Sequence, residues 1–304
     1  MRRSILFPVF FLIVCASAGA IYYAQRRQKA SRVSPNAIVE WAADAQRDIT
    51  LAPMRLTRLS DEEEIAISRR LASQYSYKDQ GLSAQQKTLE NYVRQVGGKV
   101  AVHAHRSLPY EFHLIPNKNT MNAFALPGGP VFIGEGLTDL MVTEDELANV
   151  LAHEVEHIDH YHAVERVQIE AQMKHLSLDG MQDLVQFPLS LWEVGYHKDE
   201  ELEADREGMF LAVQAGYSPY GTVKMMEEFA KLEKEYVIHA ETPQEELSQL
   251  AVESLEGYFR THPLPSERLD QANRIIAEQH WELRTEQKPF HLEFVVHNGQ
   301  VVGP

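Results

Sequence analysis

Cysteine is nearly absent from this chain: Cys15 is the only one. No intramolecular disulfide can form, and a metal site built on thiolates is excluded. Any metal must be held by His, Asp or Glu, and fourteen histidines supply the means. Positive charge is also scarce. Lys and Arg number 29 against 44 Asp and Glu, for a net charge of −15. That balance argues against nucleic acid as a partner, because phosphate binding needs a basic face. There is no internal repeat and no low-complexity tract. The 304 residues suffice for one large or two modest domains.

One long apolar run is present, over residues 4–23, between Arg2-Arg3 and the basic cluster Arg26, Arg27, Lys29, Arg32. About twenty such residues cross a bilayer as a helix, so residues 1–24 read as a transmembrane anchor. The alternative is a cleaved signal peptide, with Ala16-Ser17-Ala18 or Ala18-Gly19-Ala20 as the small-x-small cleavage site. A lipoprotein box at Leu12-Ile13-Val14-Cys15 is disfavoured by Val14. Positive charge on both flanks leaves the orientation open. Residues 25–57 read as a linker, 58–280 as the main domain and 281–304 as a hairpin-bearing tail.

Ser60 with Glu63, and Thr143 with Glu146, form capping boxes that open helices. Helical spacing predicts helices over 60–75, 84–104, 143–167, 200–215, 220–236, a stretch ending near 258, and 268–278. Residues 240–250 form an acidic stretch between them. Residues 110–116, 121–126 and 130–133 read as strands of a small antiparallel sheet, punctuated by Asn117-Lys118-Asn119 and Pro127-Gly128-Gly129. Asn298-Gly299 is a hairpin signal at the tip of residues 290–302.

The chemistry concentrates in His153-Glu154-Val155-Glu156-His157. On a helix, positions i and i+4 share a face, so the two imidazoles can chelate one zinc ion. Glu154 projects about 100° round the helix. From there its carboxylate reaches a water on the metal, whose pKa zinc lowers to about 7, without itself ligating. Leu151 and Ile158 flank this face and would bury it, and buried His and Glu are costly unless paired.

A catalytic zinc needs a third protein ligand and an open position. The extended H-E-x-x-H-x-x-G-x-x-H pattern is absent, with His160 and His162 at the wrong spacing. The acidic cluster Glu200-Glu201-Leu202-Glu203-Ala204-Asp205 offers Glu201 and Asp205 at i, i+4. Either can ligate while the other holds the second ring nitrogen of a ligand histidine. By spacing alone, a solvated acidic helix face is the better reading of the cluster.

Four blocks together carry a resemblance. They are Asn122-Ala123-Phe124-Ala125-Leu126-Pro127-Gly128-Gly129; residues 144–157; residues 201–208 with Ala215-Gly216-Tyr217; and Thr261-His262-Pro263-Leu264-Pro265 with Arg268. Over residues 62–277 the chain resembles the zinc metallopeptidases that include HtpX, the CAAX prenyl proteases and BepA. The resemblance implies Glu201 as the third ligand, one Zn2+ per chain, and Asp205 in support. It implies that Asn122, Ala123, Phe124 and Ala125 line the cleft and bind extended substrate by strand addition. It also implies that His262 and Arg268 lie near the metal and stabilise the oxyanion, or that His262 takes the fourth zinc position and holds the enzyme latent. Two departures stand out: His197-Lys198-Asp199 replaces the relatives' Ser-Arg-Asp, and a single apolar segment points to the single-anchor, periplasmic BepA-like branch.

The expectation is an α+β, mainly helical, gluzincin-like metallopeptidase domain with a small antiparallel sheet beside the active-site helix. The expected function is a zinc-dependent metalloendopeptidase acting on unfolded or misassembled membrane or cell-envelope proteins in protein quality control. Its domain would lie on the extracytoplasmic side of a membrane, reached through the N-terminal segment. The alternative is an envelope chaperone or assembly factor with latent protease activity. A purely structural zinc domain would have no use for Glu154.

Overall fold

The computed structural model describes residues 58–75, 81–173, 196–235, 262, 266–290, 295–297 and 300–302. The expectations for residues 1–57, 240–250, the helix ending near 258, residues 261 and 263–265, and the tip at 298–299 lie outside them. Among the described residues, no helix is long and apolar enough to cross a membrane.

The first half runs helix, helix, sheet. Helix α1 (Asp61–Tyr75) starts on Ser60, whose hydroxyl accepts from the Glu63 amide at 3.3 Å while the Glu63 carboxylate accepts from the Ser60 amide at 2.8 Å. Helix α2 (Ala84–Ala101) opens on the same reciprocal device between Ser83 and Gln86. Strands β1 (Glu111–Ile115), β2 (Ala123–Ala125) and β3 (Pro130–Gly134) follow, then the short helix α3 (Glu135–Asp139), which periodicity does not announce. Beyond it come α4 (Glu144–Asp159), α5 (His162–Met173), α6 (Lys198–Gln214), α7 (Tyr220–Glu235) and α8 (Ser266–Glu278). Strands β4 (Val295–His297) and β5 (Gln300–Val302) pair antiparallel.

The small sheet is mixed, not antiparallel throughout. Its order is β1-β3-β2: β2 pairs antiparallel with β3, but β1 runs parallel to β3. The β2–β3 hairpin closes through Gly128 (φ 82°) and Gly129 (φ 134°), conformations that favour glycine. The connection from β1 carries the chain past the hairpin, so β1 joins on the far side of β3. Three strands in succession do not reveal that order. Alternating side chains then face two clusters. Phe112, Leu114, Val131 and Ile133 join α2 and α4, while Ile115, Phe124, Leu126 and Phe132 join α1 and α5.

Helix α4 is the centre of the molecule. Every residue from Asp145 to Asp159 is buried, so its polar members must find partners inside the protein. Asp145 accepts from the Ser218 amide at 2.6 Å and from the Lys288 amide. Asn149 donates to the carbonyls of Asp145 and Ser218 and accepts from Thr222. Asp159 accepts from the amides of His105 and Arg106, at 2.7 and 2.6 Å. Residues 288–290 pin the helix start, with Glu144 donating to the Lys288 carbonyl and Phe290 to that of Val142.

The predicted single helix over 143–167 is two. Helix α4 stops at Asp159, and Tyr161 adopts φ 65° before α5 begins. The guanidinium carbons of Arg58 and Arg106 lie 3.8 and 3.9 Å from the Tyr161 ring centroid, and Arg106 donates to the Ile158 carbonyl at 2.8 Å. These partners come from elsewhere in the chain, which is why an uninterrupted 3.6-residue pattern hides the break.

Helices α4 and α6 pack closely against each other, and they can do so because residue 208 has no side chain. A Cβ there would sit 3.0 Å from the His153 nitrogen and 3.1 Å from its Cα. Gly208→Val is expected to lower unfolding free energy by about 1–3 kcal/mol, read as a lower urea midpoint at unchanged slope. A wild-type midpoint would show that the two helices need not approach so closely.

Candidate metal centre

His153 and His157 stand one turn apart on α4, and their Nε2 atoms are 3.0 Å apart. The neighbouring helix α6 brings the Glu201 carboxylate to 3.5 Å from each, through Oε2 and Oε1 respectively. His262 completes the group. Its Nδ1 lies 3.2 Å from His153 Nε2 and 2.9 Å from Glu201 Oε1. One ligand atom from each of these four buried residues lies within 4.8 Å of all the others. The structure therefore brings together His153, His157, Glu201 and His262 across 109 positions of sequence.

The donor set fits a divalent cation. His153 Nδ1 lies 2.9 Å from Asp205 Oδ1, an acceptor, so the ring proton belongs there and Nε2 is left with its lone pair. That lone pair faces two more ring nitrogens and a carboxylate. Hydrogen bonds alone cannot satisfy so many acceptors at one point. Ligands about 2.0–2.1 Å from a tetrahedral zinc sit roughly 3.3 Å from one another, and the contacts described run from 2.9 to 3.5 Å. Nitrogen and carboxylate ligands suit zinc.

The electrostatics point the same way. Burial alone would push the Glu201 carboxyl up, but His262 and Arg268 hold it well below its ordinary value. Asp205 is likewise held low against its burial, first by Arg268 and then by His153. Burial disfavours charge on His153, yet Asp205 and Glu201 outweigh it and raise the ring to about 10. These carboxylates call for a positive charge on His153, which a divalent ion at Nε2 supplies. Burial drives His157 well below its ordinary value, leaving the neutral ring a ligand needs. Burial also raises the Glu154 carboxyl. Glu154 is fully buried, with Oε1 3.4 Å from His262 Nε2.

Arg268, on α8, ties the acidic pair together. Its Nε and Nη2 donate to the two oxygens of Asp205 at 2.6 and 2.7 Å, and Nη1 lies 2.8 Å from Glu201 Oε2. A forked guanidinium is the group that can grip both carboxylates in one plane.

Strand β2 packs beside α4 and pairs antiparallel with β3 at one end of the three-stranded sheet. Its side chains are core. Ala123 and Ala125 face the main cluster, and Phe124 stacks on Phe132 with centroids 5.1 Å apart. Asn122 lies just outside, its carbonyl accepting from the Gly134 amide.

Two residues at the centre are not marked by the sequence. Tyr196 stacks on the His157 ring, centroids 3.6 Å apart and planes 10° from parallel, and no motif singles it out. His162, whose spacing rules it out as a ligand, lies with Nδ1 3.1 Å from His157 Nδ1. The break between α4 and α5 is what turns it there.

Comparison with known proteins adds an independent line. The chain is 26% identical over 202 residues to the "Beta-barrel assembly-enhancing protease" of Yersinia pestis, covering 60% of this chain and 38% of that protein. It is 33% identical over 150 residues to the "Mitochondrial metalloendopeptidase OMA1" of Schizosaccharomyces pombe, covering 47% of this chain and 44% of the relative. The corresponding protease of Escherichia coli is 25% identical over 205 residues, 61% of this chain and 39% of its own length. The chain thus spans about two fifths of the length of the relatives it matches. The sequence profile of Peptidase family M48 matches residues 84–276, a stretch that contains all four clustered ligand residues together with Glu154, Asp205 and Arg268. On that match the chain belongs to peptidase family M48, whose metallopeptidases use zinc.

Proposed function

We propose that this protein is a zinc metalloendopeptidase that hydrolyses peptide bonds in unfolded or misassembled membrane or cell-envelope proteins. The observation that carries the reading is the convergence of His153, His157 and Glu201 with fully buried Glu154 beside them. His153, His157 and Glu201 are the metal ligands. Asp205 holds the far nitrogen of His153, and Arg268 keeps Asp205 and Glu201 in register. The names of the relatives, a protease linked to β-barrel assembly and a mitochondrial metalloendopeptidase, support a role in protein quality control at membranes. Residues 1–24 anchor the domain to a membrane, and residues 58–280 form the catalytic unit on its extracytoplasmic side.

Zinc supplies Lewis-acid polarisation of the scissile carbonyl and acidifies water. The rest falls to the chain. An extended substrate adds along strand β2, at Asn122–Ala125. Glu154, its proton affinity raised by burial, takes the proton of the attacking water and returns it to the leaving amine.

His262 favours a latched resting state. A catalytic zinc keeps one coordination position open, and His262 Nδ1 lies within the ligand cluster while its Nε2 approaches Glu154. Access for substrate then requires His262 to withdraw. This supports the second reading, an assembly factor whose proteolysis is held latent.

Glu154→Gln is expected to keep zinc while losing at least about 10²–10⁴-fold in peptide cleavage, checked by metal analysis alongside a fluorogenic peptide assay. Cleavage at the wild-type rate would remove Glu154 from the mechanism. His262→Ala separates the two roles of that residue. A rise in turnover supports the latch, whereas a loss of about 10²–10³-fold identifies a donor to the oxyanion.

A further inference from the structure

The two histidines of α4 are held from behind in different ways. His153 meets a carboxylate directly, Asp205 Oδ1 at 2.9 Å. His157 meets another imidazole: its Nδ1 lies 3.1 Å from Nδ1 of His162, and His162 Nε2 lies 3.2 Å from Glu203 Oε2. His157 and His162 are both buried, while Glu203 on α6 is half-exposed.

Proton placement along this chain is dictated by its ends. If Nε2 of His157 gives its lone pair to zinc, the neutral ring carries its only proton on Nδ1. That proton needs an acceptor, so Nδ1 of His162 must present a lone pair. His162 then carries its own proton on Nε2, where a carboxylate is waiting. Each link leaves one tautomer for the next. Remove Glu203 and either tautomer of His162 is allowed, one of which sets two N–H groups face to face. The break at Tyr161 creates the arrangement, because it starts α5 at the angle that returns His162 to His157.

We infer that His162 and Glu203 are positioning residues of the metal centre: His162 fixes the tautomer and ring orientation of His157, and Glu203 fixes those of His162. The inference rests on the zinc reading above and extends it to a second, longer arm. The charge that orients His157 stands two imidazoles from the ion, whereas the charge that orients His153 stands one.

The test is zinc affinity of the full chain, measured by competition with a chelating dye, with the thermal midpoint of the metal-free protein as a fold control. His162→Leu is expected to weaken zinc binding by about 10–100-fold without moving the metal-free midpoint. His162→Gln, whose side-chain oxygen accepts the His157 proton, is expected to restore most of the loss. Glu203→Leu, at a half-exposed position, should weaken zinc more than Glu203→Gln, which keeps an acceptor. With cobalt in place of zinc, the visible bands of the Leu variants should shift from wild type and those of the Gln variants should not. Wild-type zinc affinity in either Leu variant overturns the inference. If His162→Leu fails to fold, Glu203→Leu alone decides between the two outcomes. A wild-type chain that takes up no zinc overturns the metal reading and this inference with it, and so is distinguishable from failure of the arm alone.

Discussion

A helix buried on every side yet carrying a row of ionisable residues must have each of them answered from outside, and that requirement organises this molecule. Along α4, Asp145, Asn149 and Asp159 are answered by backbone amides and carbonyls of surrounding loops. His153 and His157 are answered differently, by two carboxylates on α6 and a ring from position 262. The first set is architecture and the second is chemistry. They share one helix, so anything that shifts α4 to suit packing also shifts the metal site.

Holding two carboxylates beside two imidazoles in a dry interior is unfavourable unless positive charge is close at hand. Arg268 provides part of it, as a fork on Asp205 with a further contact to Glu201. A divalent ion provides the remainder. Asp205 therefore has two tasks, orienting His153 on one side and anchoring α8 on the other. Gly208 makes this arrangement possible by letting the backbones of α4 and α6 nearly touch. The site is precise because the helices that carry it are in near contact.

Much of this is legible from residue order. The i, i+4 histidines, the capping boxes at Ser60 and Thr143, and the helix boundaries near Gly216 and Pro219 are local matters, decided by neighbours within one turn. Glu201 is ambiguous on spacing, since an acidic run on a helix is ordinarily solvated, and only a family resemblance singles it out. What residue order hides is decided by distant partners. The strand order β1-β3-β2 depends on which side of a hairpin the earlier strand joins. The kink at Tyr161 depends on Arg58 and Arg106. Tyr196 reaches His157 only through the folded chain, and the position of His162 is invisible until the kink is known.

The pinning of the α4 start by residues 288–290 has a consequence for biosynthesis. Asp145 is satisfied by an amide 143 residues further along the chain, and the metal cluster needs His262 and Arg268. A ribosome making this chain releases the histidine pair long before the groups that complete and cover it. Contacts so far apart in sequence form late and slowly. The nascent polypeptide therefore carries an unfinished metal cluster until residues 262 and 268 arrive, and the start of its central helix stays unpinned until residues 288–290 have emerged.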